Sequence, residues 1–177
     1  MKDSIKMNLQ QMKYGIVLAL ITLCYGFGLG GAFGAFEDNI KDHLKSEAKS
    51  VLSDVYKGDE GKMKKIASKS WVYFKRAHLH ANGLGVIALG LILFLSFFEA
   101  NNKIKTTAAL CLGLGSLGYS TFWMFAGLIA PGMGSTGMAK ESLKFLAIPS
   151  AGLCITGLAM VMALVVMSLF VNTDNPE

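Results

Sequence analysis

Charge is scarce in this chain and unevenly spread. Asp, Glu, Lys and Arg make up 16% of its 177 residues, against about 25% in ordinary soluble domains. The deficit comes from long stretches that carry none of them, and no water-soluble surface can be built over such stretches. Cysteine is equally thin. Cys24, Cys111 and Cys154 lie far apart in apolar runs. They form neither a CxxC nor a zinc-ligand spacing and read as small buried apolar residues. The spans contain no Asp, Glu, Lys or Arg in their central turns, which argues against an ion-coupled transporter with charged groups at the bilayer midplane.

Other familiar signatures are missing too. The stretch from Gly132 to Ser142 superficially suggests a phosphate loop. Such a loop needs Gly followed directly by Lys and then Ser or Thr. Here two residues separate Gly137 from Lys140, so nucleotide binding by this segment is rejected. The methionines form no repeated copper-ligand run, and Met160, Met162 and Met167 read as span filler. The net charge of +5 does not indicate nucleic acid, because the lysines lie mostly in one segment interleaved with acids.

What is present is four uncharged runs, about 14–36, 77–98, 106–131 and 145–171. Each reaches the ~20 residues that a helix needs to cross a bilayer core. An alternating barrel pattern is absent, and within lipid only a helix satisfies every backbone group of such a segment. The fold class is therefore an all-α integral membrane protein with four transmembrane helices. The basic start, Met1 to Lys13, resembles the opening of a signal peptide. The apolar run after it is too long for one, and the small-residue stretch 32–35 sits late, so it is read as a retained first span.

Residues 37–76 are charged but patterned. Ile40, Leu44, Val51, Leu52 and Val55 keep helical spacing, and Met63, Ile66, Ala67, Trp71 and Phe74 resume it after the turn signal at Gly58 to Gly61. The pattern predicts two amphipathic helices that continue the first span and lead into the second. One helix from Lys62 to Phe98 would be roughly 55 Å long, more than a bilayer, so a helical hairpin stands outside it. Residues 99–103 make a short polar turn. Met138 to Leu146 forms a short interfacial helix, and Pro149 breaks or kinks the entry to the fourth span. The tail after Val171 is short and acidic. Twelve Lys and Arg fall on the hairpin side and five on the other. The positive-inside rule therefore leans toward a cytoplasmic hairpin in a bacterial-type inner membrane, against the pull of Lys2, Lys6 and Lys13.

Three groups of residues are candidates for function. Gly26, Gly30 and Gly34 stand at one-turn steps and give a flat face that another helix can approach closely. That face suits packing within the bundle, a dimer contact or a flat cofactor. The second group lies where Trp71 to Gly83 enters a span. Trp71, Tyr73 and Lys75 read as interfacial anchors, whereas His78 and His80 do not. Two residues apart, these histidines point about 200° from each other round a helix, so each faces a different neighbour. A hairpin centred between Asp59 and Glu60 sets His43 opposite Arg76 and gathers Glu37, Asp38, Asp42 and His43 against Arg76, His78, His80 and Asn82. Such a cluster is a salt-bridge network, a haem or transition-metal site, or a proton-transfer or quinone site. The third group, Ser116, Tyr119, Ser120 and Trp123, marks a polar face in the third span, either back-bonded to its own helix or lining an intramembrane pocket.

His78-x-His80 entering a glycine-containing span resembles the histidine-ligated haem helices of respiratory membrane proteins. The likeness covers only these few residues and assigns no family. It implies haem as one cofactor to test. The leading expectation is a non-enzymatic membrane accessory subunit, in a homo-oligomer or larger complex, whose hairpin docks a partner. Its rivals are an oligomeric channel or transporter and a metal-dependent enzyme using His43, His78 and His80.

Overall fold

The computed structural model describes residues 2–170. Among them every regular element is α-helical: α1 (Lys2–Gln11), α2 (Lys13–Ser50), α3 (Glu60–Leu95), α4 (Asn102–Met133), α5 (Thr136–Ser142) and α6 (Lys144–Phe170). Val171 and the acidic tail lie outside the described residues. Helices α2, α3, α4 and α6 are each long and apolar enough to cross a membrane.

The bundle is built around α4, which packs on α2, α3 and α6. Of its apolar stretch 56% is enclosed, against 17% for α6. The cause is the run of small buried residues on α4, including Ala108, Ala109, Gly113, Gly115, Ser116, Ser120, Ala126 and Gly127. Small side chains let helix backbones close up where lipid offers no hydrophobic drive. A Cβ on Gly15 would stand 2.5 Å from the Ala109 carbonyl oxygen, and one on Gly115 would stand 2.7 Å from the Cys154 backbone nitrogen. Helix α6 leaves Ile155, Met162, Val166 and Met167 exposed, an apolar surface suited to lipid.

One end of the bundle was misjudged from sequence. The amino-terminal stretch is the helix α1, not a plain tail, and it is stitched to the bundle by Lys105. This lysine is 1% exposed. Its Nζ donates to Asn8 Oδ1 at 2.8 Å and to the Phe98 carbonyl at 2.9 Å. Asn8 Nδ2 in turn donates to the Ser96 carbonyl. The ammonium thereby satisfies a helix end and a turn that would otherwise lack partners.

At the other end, α2 and α3 run antiparallel beyond the apolar stretches. The backbone of α2 breaks helical geometry at Phe36 (φ −133°, ψ 23°), where uncharged sequence gives way to charged. Leu44, Met63, Ile66, Ala67 and Phe74 are buried, as their spacing predicts, while Ile40, Val51, Leu52, Val55 and Trp71 of the same stripes are half-buried. The connection differs from the expected tight turn. Helix α2 ends at Ser50, and residues 51–59 form an irregular link. Within it Gly58 has φ +81°, a conformation natural to glycine. Asp59 then caps α3 by accepting from the Lys62 backbone N–H at 2.8 Å. The link is long because tertiary contacts take it. Tyr56 is 2% exposed, and its hydroxyl donates to the Pro131 carbonyl at 2.7 Å. Val55, Tyr56 and Met63 cluster with Ala130, Met133 and Ala139.

The last turns of α4 therefore serve the link and do not simply fill a third span. The helix stops at Gly134, in the left-handed region at φ +63°. Ser135 caps α5, accepting from the Met138 backbone N–H. The short helix comes slightly earlier than the expected 138–146. Pro149 sits inside an unbroken α6, so the expected break at the entry to that helix does not occur.

Candidate functional site

The glycines of α2 and the polar residues of α3 meet each other. A Cβ on Gly26 would lie 2.5 Å from Asn82 Oδ1, and one on Gly30 would lie 2.7 Å from His78 Cε1. Gly34 has no such neighbour. Two of the three glycines thus serve contact between α2 and α3 within the chain. His78 Nδ1–H donates to the Gly26 carbonyl at 2.8 Å, which fixes the ring proton on Nδ1. The Asn82 amide lies 3.2 Å from that nitrogen, and Asn82 Oδ1 is buried without a partner. Turning the amide over gives that oxygen the shared Nδ1–H as donor.

His80 points away from this contact, as the two-residue spacing requires. Its ring stacks on Trp123 (centroids 6.0 Å, 24° between planes) and meets the edge of Tyr119 at 5.1 Å. The Arg76 guanidinium lies 4.8 Å over Trp123 and 5.4 Å over Tyr73, in cation–π range. Trp123 Nε1 is buried with no hydrogen-bond partner. Arg76, His80, Tyr119 and Trp123 are therefore one aromatic and cationic assembly on the facing sides of α3 and α4.

The carboxylates and His43 do not join either histidine. Gly30 meets His78, whereas a turn between Asp59 and Glu60 would place it some three turns further along α3. The early end of α2 at Ser50 is the reason for the shift. Glu37, Asp38, Asp42 and His43 are exposed on α2. Glu37 pairs with Lys41 at 2.5 Å and Asp42 with Lys45 at 3.1 Å, and the Glu37 hydrogen bond raises the Lys41 pKa. Among the described residues no group of three or more His, Cys, Asp or Glu side chains is placed to hold a metal ion. The donor set expected for a metal ion thus fails to gather, and His80 packs against Trp123 and Tyr119.

The polar face of α4 divides in the same way. Ser116 donates to the Gly113 carbonyl at 3.0 Å and Ser120 to the Ser116 carbonyl at 2.7 Å. Both hydroxyls donate within their own helix, and the Ser116 oxygen also lies 3.5 Å from Thr22 Oγ1 on α2. Tyr119 and Trp123 belong to the His80 assembly. Ser116 borders a small apolar crevice of about 150 Å³ with Leu84, Leu112 and Cys154.

A further recess lies in the charged, amphipathic segment between the first two spans. A groove of about 770 Å³ runs between the charged parts of α2 and α3. Met63, Ala67 and Trp71 form its apolar floor, and Lys41, Lys45, Lys49 and Lys64 stand along it. Trp71 also meets Phe33 and Phe74 through ring contacts at 5.0 and 6.4 Å. The periodicity of both helices was legible, but the groove depends on a register that was not. The chain matches no family model, no curated protein and no solved structure.

Proposed function

We propose that this chain is a membrane-anchored docking subunit. Its four apolar helices hold it in a bilayer, and the charged parts of α2 and α3 stand out of that bilayer to receive a partner. The observation that carries the reading is the groove of about 770 Å³ between those two helices, with its apolar floor and lysine border. The distance along α3 from Arg76 to Ser96 is about 30 Å at 1.5 Å per residue, equal to a hydrocarbon core. Arg76 and Trp71 on α3, Glu37 on α2 and Lys144 on α6 then mark one boundary. By the positive-inside rule the hairpin faces the cytoplasm of a bacterial-type cell, within a homo-oligomer or larger complex.

The rival readings have less to rest on. A conduction path through one chain would need a lined passage, whereas α4 meets its neighbours through close-packed small residues. An enzyme would need a nucleophile or an acid–base pair within reach of a cleft.

Thiol labelling tests the arrangement. In a variant freed of Cys24, Cys111 and Cys154, Ser46→Cys and Ser68→Cys react in sealed vesicles with a membrane-impermeant maleimide from one side only. Ile155→Cys does not react. Protection of both stem positions from either side would refute the exposed hairpin. An absorption spectrum of the purified protein serves as a second check. A Soret band lost in His78→Ala or His80→Ala would replace docking by haem chemistry.

A further inference from the structure

From the charge pattern of the groove, and resting on the docking reading above, we infer that its occupant is an acidic amphipathic helix of a partner protein. The floor and the border each specify one half of that description. Met63, Ala67 and Trp71 stand at four-residue steps on α3 and line the recess, so the floor is a stripe about 12 Å long. The opposite face of this two-helix stem is covered by Ala130 of α4 and Ala139 of α5, in a buried cluster that takes in Tyr56 and Ile66 and also Met63 and Ala67, so Trp71, half-buried, gives the recess most of its open apolar surface. The groove side has no third helix among the described residues. A helix laid there completes a three-helix layer and buries its own apolar stripe against the floor.

The border selects the sign and spacing of the flanking charges. Lys41, Lys45 and Lys49 stand at four-residue steps on α2, roughly one turn apart, with Asp42 as the one acid lining the groove beside them, and Lys64 stands across the groove. Lys45 and Lys64 are exposed and paired only with near neighbours in sequence, Asp42 and Glu60. Lys49 makes no ion pair among the described residues. Exposed pairs of this kind contribute little and exchange readily. A ladder of ammonium groups one turn apart matches carboxylates one turn apart on a neighbouring helix. A phospholipid headgroup is the other anion at hand, but a single one reaches a single rung, and the ladder runs along the stem away from the apolar spans. Length and charge sign both favour the helix. Electrostatic matching of this kind governs encounter and register more than raw affinity.

The probe is a synthetic helical peptide of about four turns, with Leu on one face and Glu at one-turn steps beside it. Its twin carries Lys in place of Glu. Binding is measured to the full chain in phosphatidylcholine nanodiscs. The Glu peptide binds and weakens as salt rises, while the Lys twin does not bind. Lys45→Glu with Lys49→Glu weakens the Glu peptide by about tenfold or more. Lys65→Glu with Lys69→Glu, an equal charge change outside the groove, changes binding by less than about threefold. Equal binding of the two peptides, or equal loss in the two double variants, overturns the inference. So does a groove that takes lipid instead, seen when phosphatidylglycerol binds in a Lys45- and Lys49-dependent way and the peptide does not. In those cases one-sided labelling of Ser46→Cys would leave the docking reading standing, and its loss would remove both.

Discussion

Adding a single methyl group at Gly26 or at Gly34 should have opposite effects. At Gly26 the new Cβ lies 2.5 Å from Asn82 Oδ1, 2.9 Å from its Cγ and 3.0 Å from its backbone nitrogen. The side chain can swing away, but the backbone cannot, so α3 must back off from α2. Overpacking of this kind costs about 1–3 kcal/mol. The gain in helix propensity on replacing glycine by alanine returns about 0.5–1 kcal/mol. The net expectation for Gly26→Ala is a loss of about 1–2 kcal/mol. Gly34 has nothing within 4 Å of its would-be Cβ, so Gly34→Ala collects the propensity gain alone, about 0.5–1 kcal/mol. Gly30→Ala falls between, because its neighbour is the movable His78 ring. Reversible unfolding in mixed detergent micelles, read by helical circular dichroism, reports all three. If Gly34→Ala destabilises as much as Gly26→Ala, the reasoning fails and the outer glycines must meet a second chain.

Other outcomes follow from single contacts. Tyr56→Phe removes one of the two donors to the Pro131 carbonyl, the Gly134 N–H remaining, and costs about 0.5–1.5 kcal/mol in the same unfolding assay. Burial raises the Tyr56 pKa, so the tyrosine contribution is fully present below the unfolded value of about 10. It is lost as pH rises through the higher folded value, and the gap between wild type and Tyr56→Phe narrows there. Lys105→Met removes the donor shared by Asn8 and the Phe98 carbonyl. It should loosen α1, read as increased mobility of a spin label at Gln10→Cys with a stability loss of about 1–3 kcal/mol. Trp123→Phe sacrifices no hydrogen bond, since Nε1 has none. It should cost the cation–π term with Arg76 and part of the ring contacts with His80 and Tyr73, about 1–2 kcal/mol together; a loss of about 4 kcal/mol or more would mean that Nε1 is partnered after all.

The long apolar helices were readable because composition alone decides whether a segment suits lipid. The buried stripe of Leu44, Met63, Ile66 and Phe74 was readable from its period. Register was not, because it hinges on where α2 ends, and nothing local ends it at Ser50. Tyr56 and Val55 give up helix for contacts with α4 residues some seventy-five positions away in sequence, a tertiary choice that local propensity does not encode. That one miss displaced Glu37, Asp38, Asp42 and His43 from the histidines. Lys105 was hidden for a similar reason. A lysine beside an apolar run reads as an interfacial anchor, and only the position of Asn8 turns it inward. The split of Ser116 and Ser120 from Tyr119 and Trp123 likewise depends on how α3 faces α4.

The bond from Tyr56 to Pro131 has a mechanical consequence. It clamps the outer end of the stem to the helix that touches α2, α3 and α6. A load applied at the stem therefore has a route into α4 through this bond and the buried cluster of Tyr56, Ala130 and Ala139 around it, beside the routes along α2 and α3 themselves.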